Sequence, residues 1–152
     1  MNKKHSLLFG EIKAVVDSDM DSDDVLRFVC QMLHDGVAGF DWVGIYRYDE
    51  KEKMLHLGPY CGEETIHTEI EYGHGVCGRV AESGERLVID DVSQEENYIA
   101  CSLEVKSEIV VPIIRAGRAI AQIDIDSHSR GIFGAEEIEL IEGVSREIKD
   151  FV

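Results

Sequence analysis

Two strand carboxylates and a small set of thiols are the residues of this chain best suited to chemistry. Asp124 and Asp126 stand two positions apart in the run 119–127, beside Gln122. In an extended strand that spacing points both acids the same way, where they repel one another. Such a pair gains most by receiving a cation or by keeping a proton on one member. The other reading is a solvated strand face, with Ile123 and Ile125 burying the opposite side. Cys77 sits in Gly73-His74-Gly75-Val76-Cys77-Gly78. Glycines there allow a sharp turn and close approach to the sulfur, and a helix beginning nearby would favour the thiolate at its N-terminus. A purely structural turn fits the same residues, and His74 reads either as a base or as an ordinary surface histidine. Cys101, in Tyr98-Ile99-Ala100-Cys101-Ser102, falls late in a long irregular stretch, where a thiol is accessible and able to react. Cys61, in Leu57-Gly58-Pro59-Tyr60-Cys61-Gly62, lies in a loop of its own and is open to either role.

The elements that must position these groups follow from periodicity. Residues 7–16 form a first helix, interrupted by the polar cluster 17–22. Ser22 is the expected N-cap of a second helix, with Asp23 and Asp24 in its first turn and Gly36 as its stop. Leu26, Cys30 and Leu33 share one face of that helix, so Cys30 reads as a core residue. Residues 42–48 and 54–57 form an antiparallel pair around the turn 49–52, and Gly58-Pro59 breaks the second strand. A weaker strand covers 66–72, a short helix 80–83 ends at Gly84, and 86–89 is another short strand. Residues 90–103 have no period and read as a long loop. The hairpin 108–127 has the clearest pattern: Ile109, Val111 and Ile113 alternate with Glu108, Val110 and Pro112, and 116–118 makes the turn. Residues 135–152 form a last amphipathic helix. This order predicts an α+β fold, an antiparallel sheet with helices packed on one face.

Composition narrows the class. The chain of 152 residues fits one domain, 1–152, with 44% hydrophobic and 30% charged residues. No apolar run approaches the roughly 18 residues of a membrane span, and the start of the chain does not match a signal peptide, so a cytoplasmic protein is expected. A formal charge of −16 repels phosphate backbones, which disfavours nucleic acid as a partner. Four cysteines in a reducing compartment point to buried or catalytic thiols rather than structural disulfides. No His or Cys pair has a close metal-ligand spacing, so no metal is expected.

Taken in order, Trp42-Val43-Gly44-Ile45-Tyr46, Leu57-Gly58-Pro59-Tyr60, Gly75-Val76-Cys77-Gly78, Asp91-Val92, Ile99-Ala100-Cys101, 107–112 and 123–127 resemble the GAF-domain free methionine-(R)-sulfoxide reductases over most of 42–133. The resemblance implies a GAF-like antiparallel sheet, the N- and C-terminal helices on one face and a ligand pocket under loops on the other. It implies that Cys101 is the nucleophile and Cys77 the resolving thiol. Cys101 would take the sulfoxide oxygen as a sulfenic acid, Cys77 would condense with it to a disulfide, and a thioredoxin-like dithiol would reduce that disulfide, with no cofactor. Glu108, Asp124 and Asp126 would receive the α-ammonium of the free amino acid, and Trp42 and Tyr46 would wall its S-methyl group. Members of the family are often homodimers.

The chain also departs from that family. Many members carry a third cysteine between the Leu-Gly-Pro and Gly-Val-Cys-Gly segments, where this chain reads Glu63-Glu64-Thr65-Ile66-His67-Thr68-Glu69. Cys61 therefore competes with Cys77 for the resolving role. Tyr98 and Ser102 replace the residues usual on either side of Ile-Ala-Cys. A non-catalytic GAF module that binds a small molecule, or one that senses redox state, remains the rival reading.

Overall fold

In the computed structural model, which describes residues 1–96, 98 and 103–152, two helices open the chain, α1 (Lys3–Val16) and α2 (Ser22–Gly36). They are followed by β1 (Trp42–Asp49), β2 (Met54–Cys61), β3 (Glu69–Glu71), α3 (Gly75–Ser83) and β4 (Leu87–Ile89). A 3₁₀ turn at Val92–Gln94 precedes β5 (Ser107–Arg115), β6 (Arg118–Ser127) and α4 (Ala135–Glu147). The strands form one antiparallel sheet in the order β3-β2-β1-β6-β5-β4. Among the described residues no helix is long and apolar enough to cross a membrane.

Alternation along the central strands divides the sheet into two environments. Val43 and Ile45 of β1, Ile109, Val111 and Ile113 of β5, and Ile123 and Ile125 of β6 all pack toward α1, α2 and α4. Each such side chain stabilises the fold by about 1.5–3 kcal/mol on full burial. The opposite face carries Trp42, Tyr46 and Val110, packed under α3 through Val76, Cys77 and Val80. Both sides of the sheet are therefore covered, and what lies between β6 and α3 is shielded from bulk water.

Local chemistry explains where the elements depart from expectation. Asn2 caps α1 by accepting from His5 N–H at 2.8 Å, so that helix starts before residue 7. Asp21, not Ser22, holds the N-cap position of α2, and its side chain makes no capping bond. Gly58-Pro59 does not end β2. Gly44 pairs with Tyr60 and Tyr46 with Leu57, so two residues of β2 oppose one of β1. The pair forms a bulge, one of the few places where a strand tolerates proline, and pairing resumes through Cys61. The third strand is shorter than the 66–72 expected, and helix α3 is longer than 80–83, beginning at Gly75. The hairpin turns on Ala116 and Gly117, both with positive φ, which matches the twist of its two strands.

Candidate functional site

Sheet register assembles the acidic residues. Glu108 of β5 pairs directly with Asp126 of β6, and Asp126 pairs on its other side with Trp42 of β1. One row along, Asp124 lies between Val110 and Gly44. Glu108 is 4% exposed, and Asp124 and Asp126 are each 1% exposed, so this is not a solvated strand face. Like charges directly opposite one another weaken a sheet, and buried ones cost more. Burial raises the Asp124 carboxyl above the usual range, partly offset by hydrogen bonds with Glu108 and Cys77.

Helix α3 delivers the thiol to these acids. Gly78 permits the approach, since a Cβ there would stand 2.6 Å from the Glu71 carbonyl oxygen. Cys77 falls in the first turn of α3, where its Sγ donates to Glu108 Oε2 at 3.8 Å. Burial is the main cause that pushes its pKa well above the ordinary thiol value, followed by the charges of Asp124, Glu108 and Asp126. Position at a helix N-terminus favours the thiolate, but burial among carboxylates outweighs it here. Cys77 Sγ and one oxygen each of Glu108 and Asp124 lie within 4.8 Å of one another, a set able to hold a metal ion.

The aromatic residues of β1 lie on the same face. The rings of Trp42 and Tyr46 are 6.5 Å apart, and Trp42 stacks on Tyr60 at 5.5 Å. Gly44 between them leaves the space that the indole fills, because a Cβ there would come within 2.3 Å of the ring. Both aromatics also hold the 62–68 segment. Trp42 Nε1 donates to the Glu63 carbonyl at 3.0 Å and the Tyr46 hydroxyl to the His67 carbonyl at 2.8 Å. Tyr48, next on this face, donates to Gln122 Oε1 at 2.6 Å. Burial, then the neighbouring Cys77, pushes the Tyr48 phenol well up.

Two cavities meet this cluster. A cleft lined by Tyr46, His67, Ile70, Cys77, Glu108 and Asp124 has about 10 Å³ of free space, about that of one water. A larger pocket of about 330 Å³ is lined by His34, Asp41, Trp42, Glu63, Asp126 and His128, among others. That volume lies at the lower end of small-molecule sites. Trp42 and Asp126 border the larger space, whereas Tyr46, Glu108 and Asp124 border the smaller one.

Of the candidates named from sequence, Cys77, Glu108, Asp124, Asp126, Trp42 and Tyr46 come together on this face. Cys61 does not join them. It packs against the helix-side core, near Cys30, whose thiol donates to the Pro59 carbonyl at 3.6 Å. Cys101 lies outside the described residues, and Tyr98, three positions before it, packs against the Trp42–Tyr46–Cys77 cluster. His67, Ile70 and Tyr48 are additions. Tyr48 was within reach of the same alternation that aligns Trp42 and Tyr46, but His67 and Ile70 reach the cleft only through the course of the 62–72 segment.

A family model described as "GAF domain" matches residues 19–151. A free methionine-R-sulfoxide reductase from Saccharomyces cerevisiae is 37% identical over 139 residues, covering 84% of this chain and 77% of the relative. The structure of free methionine-R-sulfoxide reductase from Neisseria meningitidis in complex with its substrate superposes with a TM-score of 0.89 at 30% identity, over 99% of this chain and 91% of that one. A type II free methionine-R-sulfoxide reductase from Thermoplasma acidophilum gives 0.82 at 30% identity, over 86% and 91%.

Proposed function

This chain belongs to the GAF-domain free methionine-(R)-sulfoxide reductase family, and from that premise we propose that it reduces free methionine-(R)-sulfoxide to methionine. The observation that carries the reading is the enclosed cluster of Cys77 with Glu108, Asp124 and Asp126 beside Trp42 and Tyr46. A free amino acid brings an α-ammonium that neutralises part of the acidic cluster, which a peptide-bound residue lacks. Trp42, on the wall of the larger pocket, offers an apolar surface to the S-methyl group.

In the reaction the Cys101 thiolate attacks the sulfoxide sulfur. A carboxyl with a raised pKa, as at Asp124, serves as proton donor to the oxygen. The oxygen then passes to the Cys101 sulfur as its bond to the methionine sulfur breaks, the transient bond between the two sulfurs breaks with it, and methionine leaves Cys101 as a sulfenic acid. The Cys77 thiol condenses with that sulfenic acid, releasing water and forming the Cys77–Cys101 disulfide. A thioredoxin-like dithiol then reduces the disulfide by exchange and becomes oxidised itself. No cofactor enters this cycle. We assign the resolving role to Cys77 rather than Cys61, because Cys77 shares its face of the sheet with the acids.

The deciding assay incubates the protein with dithiothreitol and the separated (R)- and (S)-sulfoxides of free methionine. Selective loss of the R form, abolished by Cys101→Ser, is the expected result. Consumption of neither form would reject the reductase and favour a ligand-binding or redox-sensing GAF module.

A further inference from the structure

Cys77, Glu108 and Asp124 belong to α3, β5 and β6, so no spacing along the chain marks them as one ligand set. Their ligand atoms nevertheless lie within 4.8 Å of one another, and all three residues are buried. A tetrahedral ion held at about 2.3 Å from a thiolate and about 2.1 Å from a carboxylate oxygen sets those two atoms about 3.6 Å apart. Cys77 Sγ and Glu108 Oε2 are 3.8 Å apart. A separate observation points the same way: Asp124 Oδ1 is buried with no hydrogen-bond partner, in a residue that lines this cleft. A desolvated, unpaired carboxylate oxygen costs stability until something binds it. The cleft's free space of about 10 Å³ suits one small ion.

We infer that this trio is a binding site for a thiophilic divalent cation of the zinc and cadmium class, in competition with the substrate's α-ammonium. Sulfur among the ligands selects such ions over magnesium or calcium, which take oxygen ligands. Water completes the coordination. Binding displaces the thiol proton and any proton held by the carboxyls, so affinity rises with pH. A coordinated Cys77 is withdrawn from condensation with a sulfenic acid, and the filled acidic cluster no longer receives an ammonium. Competition with the sulfoxide rests on the reductase reading, whereas cation binding does not.

The test titrates the reduced full-length chain anaerobically with cadmium, following the ultraviolet sulfur-to-cadmium charge-transfer absorbance. The expected result is a band that saturates at one equivalent and is lost in Cys77→Ser. Glu108→Gln and Asp124→Asn keep the thiol and should weaken binding about tenfold or more. Circular dichroism establishes that each variant is folded. Zinc should displace the cadmium, and in Cys101→Ser, which binds the sulfoxide without turning it over, free methionine-(R)-sulfoxide should raise the cadmium midpoint. No band at one equivalent, a band unchanged in Cys77→Ser, or carboxamide variants that both bind cadmium as tightly as the parent chain would overturn the site. A midpoint indifferent to the sulfoxide would overturn the competition. Cadmium bound as expected by a protein that turns over no sulfoxide would uphold the cation site and reject only the reductase.

Discussion

Glu108 and Asp126 form a direct cross-strand pair between β5 and β6, two acids side by side on a buried sheet face. The Cys77 thiol donates to Glu108, but like charges opposite one another repel and burial leaves neither acid fully hydrated, so the pair itself costs stability. Its benefit arises when a cation arrives. Glu108→Gln should therefore stabilise the protein by about 1 kcal/mol in urea unfolding at neutral pH, while lowering kcat/KM by about tenfold or more. A variant that loses both stability and activity would mean that Glu108 is a structural hydrogen-bonding group and not a held charge.

Asp124 gives the same trade-off a pH dependence. Its carboxyl pKa is raised in the fold, chiefly by burial, so the native state holds this proton more tightly than the unfolded chain. The associated stabilisation is complete below the ordinary aspartate value, about 3.9, and is lost as pH rises through the raised native value. Asp124→Asn has no proton to lose there. Its stability relative to the parent chain should climb with pH from about 4 upward and level off above the native pKa. Unfolding free energies measured at several pH values check this, and a difference that is flat or falls with pH would contradict the raised carboxyl.

How much of this was legible in the sequence depends on the distance over which each feature is encoded. The hairpin was readable because alternation is local: Ile109, Val111, Ile123 and Ile125 put Glu108, Asp124 and Asp126 on the other face without knowledge of the rest. The burial of that face was not readable, since it depends on α3 crossing above it. That crossing needs Gly78 against the Glu71 carbonyl, a contact between the helix and the end of the strand before it. Gly58-Pro59 looked like a strand end because both residues disfavour strands, and only the pairing with β1 turns them into a bulge. Cys61 looked equivalent to Cys77 for a related reason. Which face of the sheet a thiol occupies follows from register, and the bulge resets it.

The two faces separate the two candidate resolving thiols experimentally. Cys61→Ser should leave turnover with dithiol reductant within about twofold of the parent, because it removes a helix-side residue. Cys77→Ser should release methionine once and then hold Cys101 as a sulfenic acid that dimedone traps. The Cys77 thiol is pushed up by burial and by three acids, so its thiolate fraction is small at neutral pH. Disulfide formation after a single turnover should accelerate as pH rises past the ordinary thiol range. Rapid quench and mass measurement follow it directly. A rate that is flat with pH, or a disulfide that forms without Cys77, would remove Cys77 from the cycle.

Trp42 is the only tryptophan in the chain, which makes its fluorescence a reporter of the site. Its ring rests over Gly44, stacks on Tyr60 at 5.5 Å and is fixed by the 3.0 Å bond from Nε1 to the Glu63 carbonyl. Gly44→Ala puts a methyl within 2.3 Å of the indole as it now stands, so the ring must move and the bond to Glu63 must break. Overpacking of this kind costs about 1–3 kcal/mol. The 62–68 segment loses one of its two aromatic tethers and the larger pocket loses its wall. The variant should show red-shifted emission, a lower unfolding midpoint and a raised KM for free methionine-(R)-sulfoxide with kcat changed less. Trp42→Phe removes the same hydrogen bond without the clash, so it should reproduce the KM effect with a smaller loss of stability. Unshifted emission and unchanged KM in Gly44→Ala would show that the indole's position over Gly44 does not set the pocket.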